Sequence, residues 1–320
     1  MTCLVTGSTG LIGAALVRAL AARGDAVVAA ARNVGKAQRL FGALPGVGVV
    51  EWDVTRPFDV RARSRPIDFI VHAAAETASR NMVERPVETM AVTLDGTRHA
   101  LDLACAMGVR GVVYLSSMEV YGVPQDDSPL AESSPLGPLD PLAPRSSYPL
   151  AKRMAEGLCA AYAREHGLPV KIARLAQVVG NEVAEGDGRV IAQFARAIAR
   201  GEDVVLHTDG SSARCYCSLD DAIGAVMLLL ERGVPGEAYN VADASSYRSI
   251  RELAESLCAA HPPSRVVVEP AEGMGYAPSC RLRLSTAKLE SLGWRPRTGI
   301  LESFERLIGS CRESNESVGA

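Results

Sequence analysis

Lysine is scarce in this chain of 320 residues: Lys36, Lys152, Lys171 and Lys288 are the whole set. Basic and acidic side chains nearly cancel, 34 against 37, which leaves a net charge of −3. There is no basic excess of the kind a nucleic-acid partner requires. No apolar run reaches the roughly 18 residues of a membrane span. No leader-like segment precedes the strand-like run Cys3-Leu4-Val5. The eight cysteines (Cys3, Cys105, Cys159, Cys215, Cys217, Cys258, Cys280 and Cys311) include no C-x-x-C pair, and the five histidines do not gather around them. That argues against zinc and for reduced thiols packed as small hydrophobes. The expectation is a cytoplasmic globular protein with no metal, membrane or nucleic-acid partner.

What is present is alternation. Strand signals at Thr2–Thr6, Ala26–Ala30, Val47–Trp52, Ile67–Ala73, Val112–Ser116 and Val170–Ala173 are interleaved with helical periods at Leu11–Arg23, Pro86–Met107 and Tyr148–His166. A Pro-rich stretch from Pro124 to Pro149 reads as loop. Alternating strands and helices predict an α/β fold, a doubly wound parallel sheet covered on both faces, with ligands at the carboxyl ends of its strands. Past Arg174 the pattern loosens, with helical periods at Arg189–Arg200, Asp220–Arg232 and Ile250–Ala259. The expected division is a nucleotide-binding domain over residues 1–175, to which the chain returns around 214–245. A smaller lobe then spans 176–311, and 312–320 form a flexible tail.

Two patterns carry chemistry. Thr6-Gly7-Ser8-Thr9-Gly10-Leu11-Ile12-Gly13 places three glycines at a spacing of three between the first strand and first helix. Glycine lets the backbone turn tightly and approach a pyrophosphate, and the helix N-terminus offers it free N–H groups. The acid that holds a ribose 2′-hydroxyl in such Rossmann units is replaced here by Ala31, followed by Arg32. Arg32 reads either as a partner for a 2′-phosphate, which tilts the cofactor towards NADP, or as a solvated side chain. Asp53, after the third strand, reads as an acceptor for an adenine amino group or as a loop carboxylate.

The second pattern is Ser117, Tyr148 and Lys152. Tyr and Lys four apart stack on one helix face, with Pro149 suited to the first turn. A free tyrosine titrates near 10, so a base at neutral pH requires help. A nearby Lys ammonium and an oxidised nicotinamide favour the phenolate. Ser117 is placed to hydrogen-bond a substrate hydroxyl. This constellation reads as an oxidoreductase centre acting on a carbinol carbon.

At this point the chain resembles the extended short-chain dehydrogenase/reductases of the nucleotide-sugar epimerase/dehydratase family. The resemblance rests on Thr6–Gly13, His72-Ala73-Ala74-Ala75, Ser116-Ser117-Met118-Glu119-Val120-Tyr121-Gly122 and Tyr148–Lys152. Arg174-Leu175-Ala176-Gln177, Arg214–Asp221, Tyr239-Asn240-Val241 and Leu292-Gly293-Trp294 add to it.

The resemblance implies a Rossmann domain, NAD or NADP held tightly, an NDP-sugar in the C-terminal lobe, and a homodimer. The cofactor would lie along Gly7, Thr9, Gly10, Leu11, Ile12 and Gly13. It would pass Arg32, Asp53 and Val54 and rest against Ala73, Ala74, Ala75, Tyr148 and Lys152. Tyr148 would take the sugar 4-hydroxyl proton as C4 is oxidised. The resulting ketone opens epimerisation, dehydration or decarboxylation.

Glu119 sits where family dehydratases and decarboxylases carry a Glu, and it reads as a C5 base or as a salt-bridged loop residue. Met118 replaces the Asp that many dehydratases use for water loss. Ser117, Arg145, Gln177 and Arg214 would contact substrate, Arg214 on the diphosphate. Gln177 and Thr93 stand where the family commonly has Asn. An NADPH-dependent ketoreductase and a non-catalytic dinucleotide sensor are the competing readings. The sensor reading conflicts with the retained Tyr–Lys pair.

Overall fold

The computed structural model describes residues 1–59, 66–181, 187–271 and 279–319. The chain opens with β1 (Thr2–Thr6), α1 (Leu11–Ala22), β2 (Ala26–Ala31), α2 (Val34–Phe41), β3 (Val47–Glu51) and β4 (Phe69–His72). It continues through α3 (Ser79–Glu84), α4 (Pro86–Met107), β5 (Gly111–Ser117), α5 (Ser147–His166), β6 (Val170–Leu175) and β7 (Gln177–Val179). Then come α6 (Val190–Ala199), β8 (Val204–Leu206), β9 (Ala213–Ser218), α7 (Leu219–Arg232), β10 (Ala238–Val241) and β11 (Asp243–Ser249). The last elements are α8 (Ile250–Ala260), β12 (Val266–Val268), β13 (Arg281–Leu282), α9 (Ala287–Ser291) and α10 (Ile300–Gly319).

Seven strands form one sheet in the order β10-β6-β5-β4-β1-β2-β3, and every pairing in it is parallel. Alternate residues of its strands enter two different cores, as a period of two demands. Cys3, Val5, Val27 and Val113 pack with α1 and α7 on one face. Leu4, Val28, Val112 and Tyr114 pack with α4 and α5 on the other. The strands are largely apolar because both faces are covered, with polar residues such as His72, Ser116 and Arg174 towards their carboxyl ends. Late residues return to this sheet: α7 packs beside α1 in the first core and β10 is an edge strand. A third core gathers α6, α8 and α10 around Phe194, Tyr216, Leu257 and Phe304.

Four helices were not in the sequence expectation: α2, α3, α9 and α10. α2 is short and buries Ala37 and Phe41, with Asn33 accepting from Lys36 N at 2.8 Å as its cap. So brief a period, interrupted by Gly35, gives little signal. α10 runs to Gly319, across most of the stretch expected to be a tail. Its buried Ile300, Phe304, Leu307, Ile308 and Cys311 recur at helical spacing. Among the described residues, no helix is long and apolar enough to cross a membrane.

Candidate active site

The β1–α1 turn is shaped by contacts that leave no room for side chains. Gly7 has φ +61°, and a Cβ there would meet the Ala74 backbone at 2.8 Å. A Cβ on Gly13 would lie 2.2 Å from Gly7 O, so only glycine lets helix and turn close on each other. Thr6 Oγ1 locks the facing loop by accepting from Ala73 N (3.1 Å) and Ala74 N (3.2 Å), and it pairs with His72 Nδ1 at 2.8 Å. The first turn of α1 has neither a capping side chain nor an acidic residue. Its N–H groups are therefore directed to whatever fills the groove, which suits a pyrophosphate.

That groove is part of a cavity of about 1150 Å³. Every residue that the sequence assigned to cofactor, substrate or catalysis lines it: Gly7, Thr9 and the run Gly10 to Gly13, then Arg32, Asp53, Val54 and the Ala73–Ala75 run. Ser117, Glu119, Arg145, Tyr148, Lys152, Gln177 and Arg214 complete the set. The volume exceeds that of a drug-sized ligand site and has room for two ligands side by side. Sequence reasoning missed several other lining residues, among them Lys36, Arg189, His207 and Thr208. They sit on α2 and on the loosely patterned lobe, where no motif marks them.

Tyr148 and Lys152 are carried by α5, both buried. Lys152 Nζ donates to Leu115 O at 2.6 Å. It lies 4.7 Å from the centre of the Tyr114 ring and 5.7 Å from that of Tyr148. Burial lowers its pKa from 10.5 to about 8, against the charge of Glu156 and the influence of Cys159. The sequence reading had the ammonium and an oxidised nicotinamide together lowering the Tyr148 phenol. In the structure burial pushes that phenol above its ordinary value and the Glu119 charge adds to the rise. The Ser117 hydrogen bond and the Arg145 charge oppose it. Lys152 directs one N–H to the β5 carbonyl and meets Tyr148 across the ring.

Ser117 ends β5, and the chain turns immediately after it. Met118–Tyr121 form a 3-10 turn, and Ser117 Oγ accepts from Glu119 N at 3.2 Å to begin it. Both side chains nonetheless line the cavity. Arg145, in the turn before α5, donates from Nη2 to Glu119 Oε1 at 2.9 Å. Both partners are largely shielded.

Asp53 accepts from Thr55 N (3.0 Å) and Thr55 Oγ1 (2.8 Å) while facing the cavity. Burial pushes its carboxyl up, but these bonds and the charges of Arg32 and Arg56 hold it below its ordinary value. Gln177 opens β7 and Arg214 lies on β9. Among the described residues Arg214 Nε is buried without a hydrogen-bond partner, an orphaned donor that an anion in the cavity would satisfy. Thr93, where the family commonly has Asn, donates to Thr89 O of its own helix at 3.0 Å.

Residues 3–242 match the model of the NAD dependent epimerase/dehydratase family. The chain belongs to that family and is an NAD-dependent enzyme of the nucleotide-sugar epimerase/dehydratase type. Among individual proteins, it is similar to UDP-glucuronic acid decarboxylase 6 of Arabidopsis thaliana, with 31% identity over 95% of this chain and 87% of that protein. It is 30% identical to the UDP-N-acetyl-alpha-D-glucosaminuronate decarboxylase of Bacillus cytotoxicus, over 84% of each chain. A crystal structure of dTDP-glucose 4,6-dehydratase from Streptomyces venezuelae with NAD bound superposes with a TM-score of 0.82 and 27% identity. The match covers 99% of this chain and 98% of that one.

Proposed function

We propose that the protein oxidises an NDP-hexuronic acid at C4 and releases its C5 carboxylate as carbon dioxide. The observation that carries this reading is the Arg145 guanidinium, paired with Glu119 next to Tyr148. C5 adjoins C4. A substituent on C5 therefore lies within a few ångströms of the phenol that serves the 4-hydroxyl, beside Arg145. A guanidinium is the side chain best suited to hold a carboxylate. The similarity to two uronate decarboxylases agrees with it.

With the positive charge of an oxidised nicotinamide offsetting the effect of burial, Tyr148 would accept the 4-hydroxyl proton, Ser117 orienting that hydroxyl. The bound dinucleotide supplies the hydride acceptor. The C4 ketone makes the substrate a β-keto acid, whose C5–carboxylate bond breaks with the electron pair passing to the C4 oxygen. C5 then gains a proton from solvent, and Tyr148 returns its proton as C4 takes back the hydride removed in the first step. No base is required at C5. Water loss would require an acid near C6; Met118 has no proton to give, and Glu119 is already an acceptor for Arg145.

A second reading keeps Glu119 as a base that removes the C5 proton, leading to dehydration or epimerisation. Its place in the same cavity as Ser117 and Tyr148 favours it. Incubation with UDP-, dTDP-, GDP- and CDP-sugars, each with either hydroxymethyl or carboxylate at C5, separates the two by product mass and NMR. Loss of carbon dioxide from a uronate supports the proposal. A dehydrated or inverted product from a neutral sugar, with the uronates untouched, overturns it. Steady consumption of free NADPH with a ketone would favour a ketoreductase instead.

Arg32 and Lys36 line the ribose end of the cavity, with no carboxylate at Ala31, and this supports NADP over NAD. The diphosphate is assigned to Arg214 on the strength of its unpartnered Nε. A homodimer through α4 and α5 is supported by their exposed Val87 (81%) and Met154 (60%). A shallow hollow lined by Leu94, Met154, Gly157 and Leu158 lies on the same helices. Eight free cysteines fit a reducing, cytoplasmic setting.

A further inference from the structure

Tyr148, Lys152 and Glu156 stand at successive four-residue steps on one face of α5, and the last of them has no place in the chemistry above. Glu156 is buried, as is its partner Arg174 on β6. Arg174 grips the carboxylate with Nη2 to Oε2 at 2.8 Å and Nε to Oε1 at 3.0 Å. Ser116 Oγ donates to the same Oε1 at 2.6 Å. The other end of the guanidinium donates from Nη1 to Tyr121 OH (3.0 Å) and to Glu132 O (3.1 Å). Tyr121 OH in turn donates to Asn240 Oδ1 at 2.8 Å, and Asn240 Nδ2 donates to Ser285 O at 2.9 Å. One ion pair thus joins α5, β5, β6, the 3-10 turn that presents Glu119, β10 and the segment after β13.

The placement of these bonds along β5 is informative. Lys152 holds Leu115 O, Glu156 holds Ser116 Oγ, and the next residue is Ser117. Two rungs a helical turn apart fix α5 against the strand that ends in the proposed substrate-orienting serine. A buried ion pair is weak evidence of stability, because desolvation offsets its attraction. It does constrain geometry, and a displacement of about 1 Å at a reacting centre can cost on the order of a hundredfold in rate.

We propose that Glu156 and Arg174 are positioning residues. Together with Ser116 they set the alignment of Tyr148 with Ser117, and the Glu156 carboxylate sustains the Lys152 ammonium. The proposal rests on Tyr148 and Lys152 being the catalytic pair. It does not rest on decarboxylation, because oxidation at C4 precedes every event at C5. The groups that face Lys152 are Tyr148, Glu156 and Cys159 on its own helix, Tyr114 on β5 and His72 on β4. Among them Glu156 carries the carboxylate, and its charge opposes the effect of burial on Lys152.

The test compares Glu156→Gln, Arg174→Lys and the charge-neutral double variant Glu156→Gln/Arg174→Met with the full-length enzyme. C4 oxidation is followed by absorbance of the reduced nicotinamide, and dinucleotide affinity by fluorescence. Glu156→Gln is expected to lower kcat about tenfold or more with little change in KM, and to move the basic limb of the kcat–pH profile to lower pH. Arg174→Lys lowers kcat without moving that limb downwards. If Glu156→Gln does not fold, the double variant carries the test, since it leaves neither member of the ion pair buried without the other; it should bind dinucleotide normally yet turn over slowly. Folded variants with wild-type kcat and an unmoved basic limb would overturn the proposal. A fall in kcat with an unmoved limb in Glu156→Gln would overturn its charge role.

Discussion

Replacing Lys152 with Met should abolish turnover and stabilise the protein at neutral pH. The drop of the Lys152 pKa from 10.5 to about 8 means that the fold disfavours the ammonium by about 3 kcal/mol. The sign follows from proton binding. Between about pH 8 and 10.5 the unfolded chain holds a proton on this lysine that the native chain has lost, so stability rises with pH across that window. Below pH 8 both states are charged and the whole penalty is present. Met fills nearly the same space without charge. It leaves Leu115 O without the donor that Lys152 provides at 2.6 Å, a loss of about 1–2 kcal/mol. The net gain at pH 7 is then about 1–2 kcal/mol. Urea unfolding of wild type and Lys152→Met, without added nucleotide, measures it at pH 7 and again near pH 10. The variant should be the more stable at pH 7, and its advantage should shrink or reverse near pH 10. A variant less stable at pH 7, or a difference indifferent to pH, would refute the account of Lys152 as a desolvated cation retained for function.

Other substitutions probe the remaining parts of the site. Gly13→Ala puts a methyl 2.2 Å from Gly7 O, which forces the turn open; dinucleotide binding measured by calorimetry should fall at least a hundredfold, with the fold retained by circular dichroism. Arg145→Met removes a charge-assisted contact of about 2 kcal/mol. KM for a uronate should rise roughly thirtyfold, while KM for the corresponding neutral NDP-sugar stays within a few-fold. Tyr148→Phe should cut kcat by on the order of a hundredfold or more and leave the dinucleotide dissociation constant near that of wild type. Arg32→Ala should weaken NADP and spare NAD; equal affinity changes for both would show that Arg32 does not contact the 2′ position.

The parallel sheet and the dinucleotide turn were legible because local rules and the tertiary fold agree there. Gly7 and Gly13 are glycines for reasons of close approach that act within one turn. The strands of the parallel sheet are mostly apolar because helices cover both faces. α4 was read to its last residue, since Pro86 opens it and Gly108, at φ +59°, ends it. Legibility failed where partners are distant in sequence. Nothing near Glu119 announces Arg145, 26 residues away, as its ion-pair partner. The bonds that tie Tyr121 to Asn240, 119 residues on, are equally silent in a linear reading. The direction of the Lys152 proton was also missed, because spacing gives the helix face and not the rotamer. α10 was a different kind of miss: its apolar spacing from Ile300 to Cys311 was in the sequence but was not read as a helix.

The same Tyr–Lys chemistry at C4 serves several outcomes in this family, so the outcome must be decided by what stands around C5 and C6. Three positions in this chain bear on that choice, and each narrows it differently. Met118 is buried and cannot donate a proton, which removes one route to water loss. Glu119 is bound to Arg145, so as a base it would first have to give up a shielded ion pair. Arg145 gains if a substrate carboxylate arrives, because a guanidinium can hold two carboxylates through different N–H groups. A neutral sugar offers no such compensation. On this reasoning the Glu119→Gln variant is the sharpest discriminator. If carbon dioxide loss is the reaction, the substitution frees Arg145 for the substrate, and KM for the uronate should fall or hold while kcat survives. If Glu119 is the C5 base, kcat should collapse by on the order of a hundredfold or more with KM little changed.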